Sequence, residues 1–111
     1  MVNEIESDAL KARLGGADKP LLVDIRTEAE VMQGIIPDAI HIPMHLLPLR
    51  VSELPREQEV ILYCRSGARS YHACQALEQQ GFHQFVNLRG GIIAWARHGF
   101  EIGRPEAPGS R

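Results

Sequence analysis

The sequence predicts an α/β domain with a mainly parallel central sheet flanked by helices on both faces. Three observations carry this. Short β-favouring runs alternate with segments of helical spacing, which implies crossover connections and therefore parallel strands. One run, Val60-Ile61-Leu62-Tyr63, is apolar without interruption, as strands covered on both sides are. The chain has 111 residues, 44% of them hydrophobic and 23% charged, which suits one soluble core and leaves no room for a second domain.

The elements follow in order. Ser7 and Asp8 are good helix starters, Ala9, Leu10 and Leu14 recur at helical spacing, and Gly15-Gly16 stops the helix. Leu21-Leu22-Val23 reads as a short buried strand. Thr27-Glu28-Ala29-Glu30 forms a capping box, in which the Thr27 hydroxyl and the Glu30 carboxylate satisfy each other's free N–H groups, so a helix is predicted over 28–33 with its end at Gly34. Residues 39–42 form a strand between Pro37 and Pro43. Residues 46–54 fit no pattern cleanly and read as irregular helix broken by Pro48. After the central strand, 68–80 turns helical, with Ser70, Ala73, Cys74 and Leu77 as its inner stripe and Gly81 placed to close it. Phe85-Val86 is the next strand, and Gly90-Gly91 leads into a helix over 92–98 ended by Gly99. The domain spans 1–102, and 103–111, rich in Gly and Pro, is expected to be a flexible tail.

Several function classes drop out. No run approaches the roughly 18 apolar residues of a membrane span, and Met1 to Leu10 has neither a basic start nor an apolar secretion segment, so a cytoplasmic protein without membrane contact is expected. Residues 1–59 hold 11 acids and 6 bases, a net −5, whereas 60–100 hold Arg65, Arg69, Arg89 and Arg97 against Glu78 alone, a net +3. Four arginines without a cluster are too few for a nucleic-acid footprint, and suit a small anion better. Cys64 and Cys74 are too few for a disulfide framework, so a free thiol is the point of interest.

That thiol sits in Tyr63-Cys64-Arg65-Ser66-Gly67-Ala68-Arg69-Ser70. A strand stops at Tyr63 and a helix begins within about five residues, so the backbone between must wrap around a point with its N–H groups inward, at the carboxyl end of the sheet where ligands gather. Gly67 permits the positive φ such a loop needs, and Arg65 and Arg69 add charge at its rim. Lowering a thiol pKa from about 8.5 to about 6.5 takes roughly 2.7 kcal/mol. A helix N-terminus supplies about 0.3–2 kcal/mol of this, and loop amides and an arginine supply the rest, so Cys64 needs no general base. The expectation is a thiol on the floor of a cationic bowl, ionised near neutrality and open to solvent.

The loop resembles the active-site loop of the single-domain rhodaneses, the thiosulfate sulfurtransferases, with Cys64 at the nucleophile position. Two further segments agree. Leu22-Val23-Asp24-Ile25-Arg26-Thr27 with Glu30, followed by 34–43 (GIIPDAIHIP), resembles the amino-terminal signature of that family, and Asn87-Leu88-Arg89-Gly90-Gly91-Ile92 with Trp95 and Gly99 resembles its carboxyl-terminal one. The likeness runs from about Ile5 to Ile102. It implies a rhodanese-like fold and a transfer of sulfane sulfur from thiosulfate or a similar small anionic donor, through a persulfide on Cys64, to a thiol or cyanide acceptor or to an acceptor protein. It further implies that Arg65, Ser66, Gly67, Ala68, Arg69 and Ser70 bind the donor, and that Asp24 and Arg26 support the loop, Arg26 pairing with Glu30. No cofactor is implied. Ile35 stands where the family usually has His, Asp38 where it usually has Gly, and Arg89 where an acid is common; Arg89 would favour anionic substrates if it faces the site.

The alternatives are a persulfide carrier relaying sulfur between proteins, and a small cysteine phosphatase or arsenate reductase. The latter use Cys, five residues, then Arg. Here position 70 is Ser and the arginine comes one place early, at Arg69. Cys74 lies on an inner helical stripe and is expected to pack rather than to resolve a disulfide. His72 is expected to be exposed. His41 and His45 are separated by Pro43, and His83 and His98 are isolated, so no metal is expected. Trp95 reads as a core anchor. Met44, Leu46, Leu47 and Leu49 read as a docking surface or, more simply, as a segment partly buried beneath a loop.

Overall fold

The computed structural model describes residues 1–105. The strands β1 (Asn3–Ile5), β2 (Leu21–Asp24), β3 (Ile40–His41), β4 (Val60–Tyr63) and β5 (Phe85–Leu88) form one five-stranded sheet in the order β1-β5-β4-β2-β3. Every pairing is parallel, and β4 is central as its apolar run requires. Between the strands lie α1 (Ser7–Leu14), α2 (Glu28–Met32), α3 (Leu47–Arg50) with a 3-10 turn at Val51–Glu53, α4 (Ala68–Gln79) and α5 (Gly91–Arg97).

Alternate residues of the strands feed two cores. Val23, Val60, Leu62 and Phe85 pack against Ala73, Cys74 and Leu77 of α4 and against Leu47, Val51 and Leu54. Leu22, Ile61, Tyr63, Val86 and Leu88 pack on the opposite face against Leu10 of α1 and Trp95 of α5. Trp95 is the expected anchor, buried and donating its Nε1–H to the Glu101 carbonyl at 2.8 Å. No helix of the described residues is long and apolar enough to cross a membrane.

The differences from the sequence reading have local causes. β1 went unpredicted because it is three residues of a polar edge, ordered by its pairing with β5. Ser7 does not cap α1: it is the first helical residue and buried, and Glu6 holds the cap position without a side-chain bond. The Thr27–Glu30 capping box is present, with α2 ending one residue earlier than expected, at Met32. Pro48 does not break the helix at 46–54. It sits in the first turn of α3, where a missing N–H costs nothing, and Leu47 is buried while Leu49 is exposed. Gly103 exchanges backbone hydrogen bonds with Ile35 at 3.0 and 2.7 Å, so the expected tail begins no earlier than residue 104. Residues 106–111 of that tail lie outside the described residues.

Asp38 has φ 71°, the only positive φ of a non-glycine among the described residues. A left-handed conformation costs an L-residue with a Cβ, even though Asp tolerates it better than most. Asp38→Gly should therefore stabilise the protein by about 0.5 kcal/mol in urea unfolding, after the extra chain entropy of glycine is subtracted. A loss of stability would show that the Asp38 side chain makes a compensating contact.

Candidate active site

Cys64 follows directly on β4, and the three residues after it turn the chain into α4. What bends this loop comes from elsewhere in the sequence. The Cys64 and Arg65 carbonyls accept hydrogen bonds from the Ile92 and Ile93 amides at the start of α5, at 3.0 and 3.1 Å. With the carbonyls drawn outward, the loop N–H groups face the sulfur. The close approach needs Gly91, at φ 59°, because a Cβ there would collide with both carbonyl oxygens. Gly67, at φ 97°, turns the other side of the loop, and its N–H donates to Cys64 Sγ at 3.1 Å.

Ser70 completes the ring around the sulfur. Its N–H lies 3.5 Å from Sγ and its Oγ 3.4 Å. The same hydroxyl lies 2.5 Å from Asn87 Oδ1. Asn87 is held with its amide hydrogens on the Glu4 carboxylate and the Gly67 carbonyl, which leaves Oδ1 turned to Ser70. Sequence reasoning gives Asn87 no role beyond its place in a signature. A polar residue in a strand otherwise buried on both faces was the available signal.

Burial works to raise the Cys64 pKa, but the hydrogen bonds from Ser70 and from the Gly67 and Arg69 amides outweigh it and leave the thiol below its ordinary value. The expected openness to solvent is not found. Cys64 is 1% exposed, sealed by the loop that surrounds it. Cys74 is the opposite case: buried among apolar groups, it is pushed up to about 12 and packs as expected.

The charged residues are arranged differently from the reading of the sequence. Arg26 does not pair with Glu30. Its Nε and Nη2 donate to Asp24 at 2.7–3.1 Å and Nη2 also to the Gly34 carbonyl at 2.6 Å, making a buried clamp between the end of β2 and the turn after α2. The chain leaves the helical path between these residues, since Thr27 is an extended cap, and Asp24 is nearer than Glu30. Glu30 instead takes Arg69 in a two-point ion pair at 2.9 and 2.8 Å. Arg69 is thus engaged, while Arg65 is exposed and has no ion-pair partner among the described residues. Ser66 and Ala68 are exposed on the rim, and Gly67 and Ser70 are buried beneath it. Arg89 does not add to this site: its guanidinium is largely exposed and lies 3.5 Å from Glu6.

Two clefts flank the loop, and neither has Cys64 in its walls. One of about 610 Å³ runs along Ile25, Pro43, Met44 and Arg69. The other, about 240 Å³, lies between Arg65 and Ile92, Ile93 and Ile102. His72 is exposed, and His41 Nε2 is bonded to the Arg26 carbonyl at 2.7 Å. Among the described residues no group of three or more His, Cys, Asp or Glu gathers that could hold a metal ion.

A family model for the rhodanese-like domain matches residues 6–98. The chain belongs to the rhodanese-like family. It is 61% identical over 106 residues to a protein of Allochromatium vinosum named sulfurtransferase, covering 96% of this chain and 99% of that one. Among solved structures it is similar to a rhodanese-like domain protein from Staphylococcus aureus, with a TM-score of 0.83, 31% identity, and coverage of 95% of this chain and 100% of the other. A rhodanese-related protein from Thermoplasma volcanium aligns with a TM-score of 0.80 at 27% identity, over 90% and 96% of the two chains. The rhodanese-like fold expected from the three motifs is therefore the fold of this chain.

Two measurements check the site's electrostatics. In a titration followed by thiolate ultraviolet absorbance, a midpoint below that of an ordinary cysteine should appear, vanish in Cys64→Ser and persist in Cys74→Ala; a single midpoint at the ordinary value would contradict the hydrogen-bond ring. Glu30 is held at about 2, against an ordinary 4.5, chiefly by the Arg69 hydrogen bonds. Because the folded pKa is the lower one, this carboxylate stabilises the fold fully above pH 4.5 and loses that contribution as the pH falls towards 2. The stability gap between the native protein and Glu30→Gln should therefore narrow over that interval in urea unfolding, and a gap independent of pH would contradict the ion pair.

Proposed function

We propose that the protein is a sulfurtransferase that moves a sulfane sulfur from thiosulfate, or a similar small anionic donor, to a thiol or cyanide acceptor through a persulfide on Cys64. The observation that carries this reading is the pair of main-chain donors on Cys64 Sγ, the Gly67 and Ser70 N–H groups, with the Ser70 hydroxyl beside them. Such an arrangement holds a thiolate without a base, and it suits a persulfide anion equally well.

The step balances without an outside oxidant. The Cys64 thiolate attacks the outer sulfur of thiosulfate, the S–S bond of the donor breaks, and sulfite leaves with the bonding pair. An acceptor thiolate or cyanide then takes the outer sulfur and returns Cys64 as thiolate. Arg65 supplies the positive charge at the rim, and Asp24 with Arg26 anchors the end of β2 next to the loop. Removing one partner of that buried pair would cost about 3–5 kcal/mol, which fits a supporting role. Arg69 is held on Glu30, so it is not free to cradle a tetrahedral phosphate, and this favours sulfur transfer over phosphate chemistry.

Intact-mass measurement after exposure to thiosulfate tests the proposal. The expected result is a gain of one sulfur atom, reversed by cyanide and absent in Cys64→Ser, together with a loss of turnover in that variant of more than about a thousandfold. Full activity of Cys64→Ser, or no gain in mass, would overturn it.

A further inference from the structure

We propose that Glu30 sets the charge of the donor this loop accepts: by neutralising Arg69 it disfavours doubly charged donors relative to singly charged ones. The inference rests on the sulfurtransferase reading and adds to it a residue that determines specificity.

Three arginines surround the loop, but two are spent. Arg26 is bound to Asp24 and to the Gly34 carbonyl. Arg69 meets both oxygens of Glu30, at 2.9 and 2.8 Å. Only Arg65 brings uncompensated positive charge. Glu30 is held beside Arg69 by more than the ion pair, because Oε1 also accepts from the Thr27 N–H at 3.0 Å and lies 3.2 Å from the Thr27 hydroxyl. The helix cap that starts α2 therefore doubles as a fixed negative charge beside the loop. Glu28 lines the same cleft as Arg69 and adds to the negative side of its mouth. A donor with one negative charge finds Arg65 and the loop amides; a donor with two carries a second charge that Arg69 would otherwise balance and that Glu30 opposes.

The charge can be removed without the cap. Gln serves at this position of a capping box as well as Glu does, and in Glu30→Gln the remaining Oε1 can still accept from Thr27 and from Arg69. Thiosulfate and methanethiosulfonate are matched probes. Both offer a terminal sulfane sulfur, but one is a dianion that releases sulfite and the other a monoanion that releases a sulfinate.

The experiment measures kcat and KM for both donors, with cyanide as acceptor, in the native protein, Glu30→Gln and Arg69→Met. Glu30→Gln should raise kcat/KM for thiosulfate relative to methanethiosulfonate by about fivefold, the size of a partly exposed charge contact, mainly through KM and with a steeper dependence on ionic strength. Arg69→Met, which leaves Glu30 unbalanced, should shift the ratio the other way. A merely structural role for Glu30 would depress both donors together and leave the ratio unchanged, and that result overturns the proposal, as does a ratio that moves alike in the two variants. If neither donor transfers sulfur to Cys64 in the native protein, the sulfurtransferase reading and this inference both fail. If both donors load Cys64 and the ratio ignores Glu30, only the inference fails.

Discussion

The structure of this site depends on offsetting the desolvation of one sulfur. A thiolate taken out of water is costly unless hydrogen-bond donors replace the lost hydration, and Cys64 is almost wholly buried. The replacement comes from main-chain amides, groups that bring partial positive charge without a mobile side chain. A strand that ends abruptly, a left-handed glycine and a helix that begins at once are what direct those groups to a single point. The surrounding fold works to keep that turn from relaxing: β4 is the central strand, flanked on both sides by parallel partners, and α4 is packed along its length by Ala73, Cys74 and Leu77.

Around this neutral-donor core, charge is paired off. Asp24 takes Arg26 and Glu30 takes Arg69, so of the two loop arginines that a reading of the sequence assigns to the donor, one is used to tie segments together, as Arg26 is. One pair joins the end of β2 to the turn after α2, and the other joins α2 to α4. The net charge of the second half of the chain is thus a poor guide to the field at the sulfur, because its compensating acids come from the first half.

Much of this was legible in the residues. The uninterrupted run at Val60–Tyr63 marks the central strand, the Thr27–Glu30 spacing marks a helix start, and the interval between Tyr63 and Ala68 is too short for anything but a tight loop around Cys64. What escaped depends on contacts between distant segments. β1 has too little apolar pattern to announce itself before β5 is placed beside it. The family resemblance implies an Arg26–Glu30 pair, but Arg26 lies before the extended cap Thr27, outside the helix that carries Glu30. The sealing of Cys64 and the part of Asn87 arise where α5, β5 and the loop converge, and no local pattern encodes such a meeting. Whether Arg89 faces the site is left open by the sequence, because position along the chain says nothing of which way a side chain turns, and it turns to Glu6.

The clamp of α5 on the loop couples two parts of the molecule. The Ile92 and Ile93 amides are bonded to the carbonyls of Cys64 and Arg65, so any loosening of the turn around the sulfur must also free these two N–H groups. Their hydrogen-exchange protection is thereby a built-in gauge of how often the turn breathes, readable at backbone positions that carry no chemistry of their own.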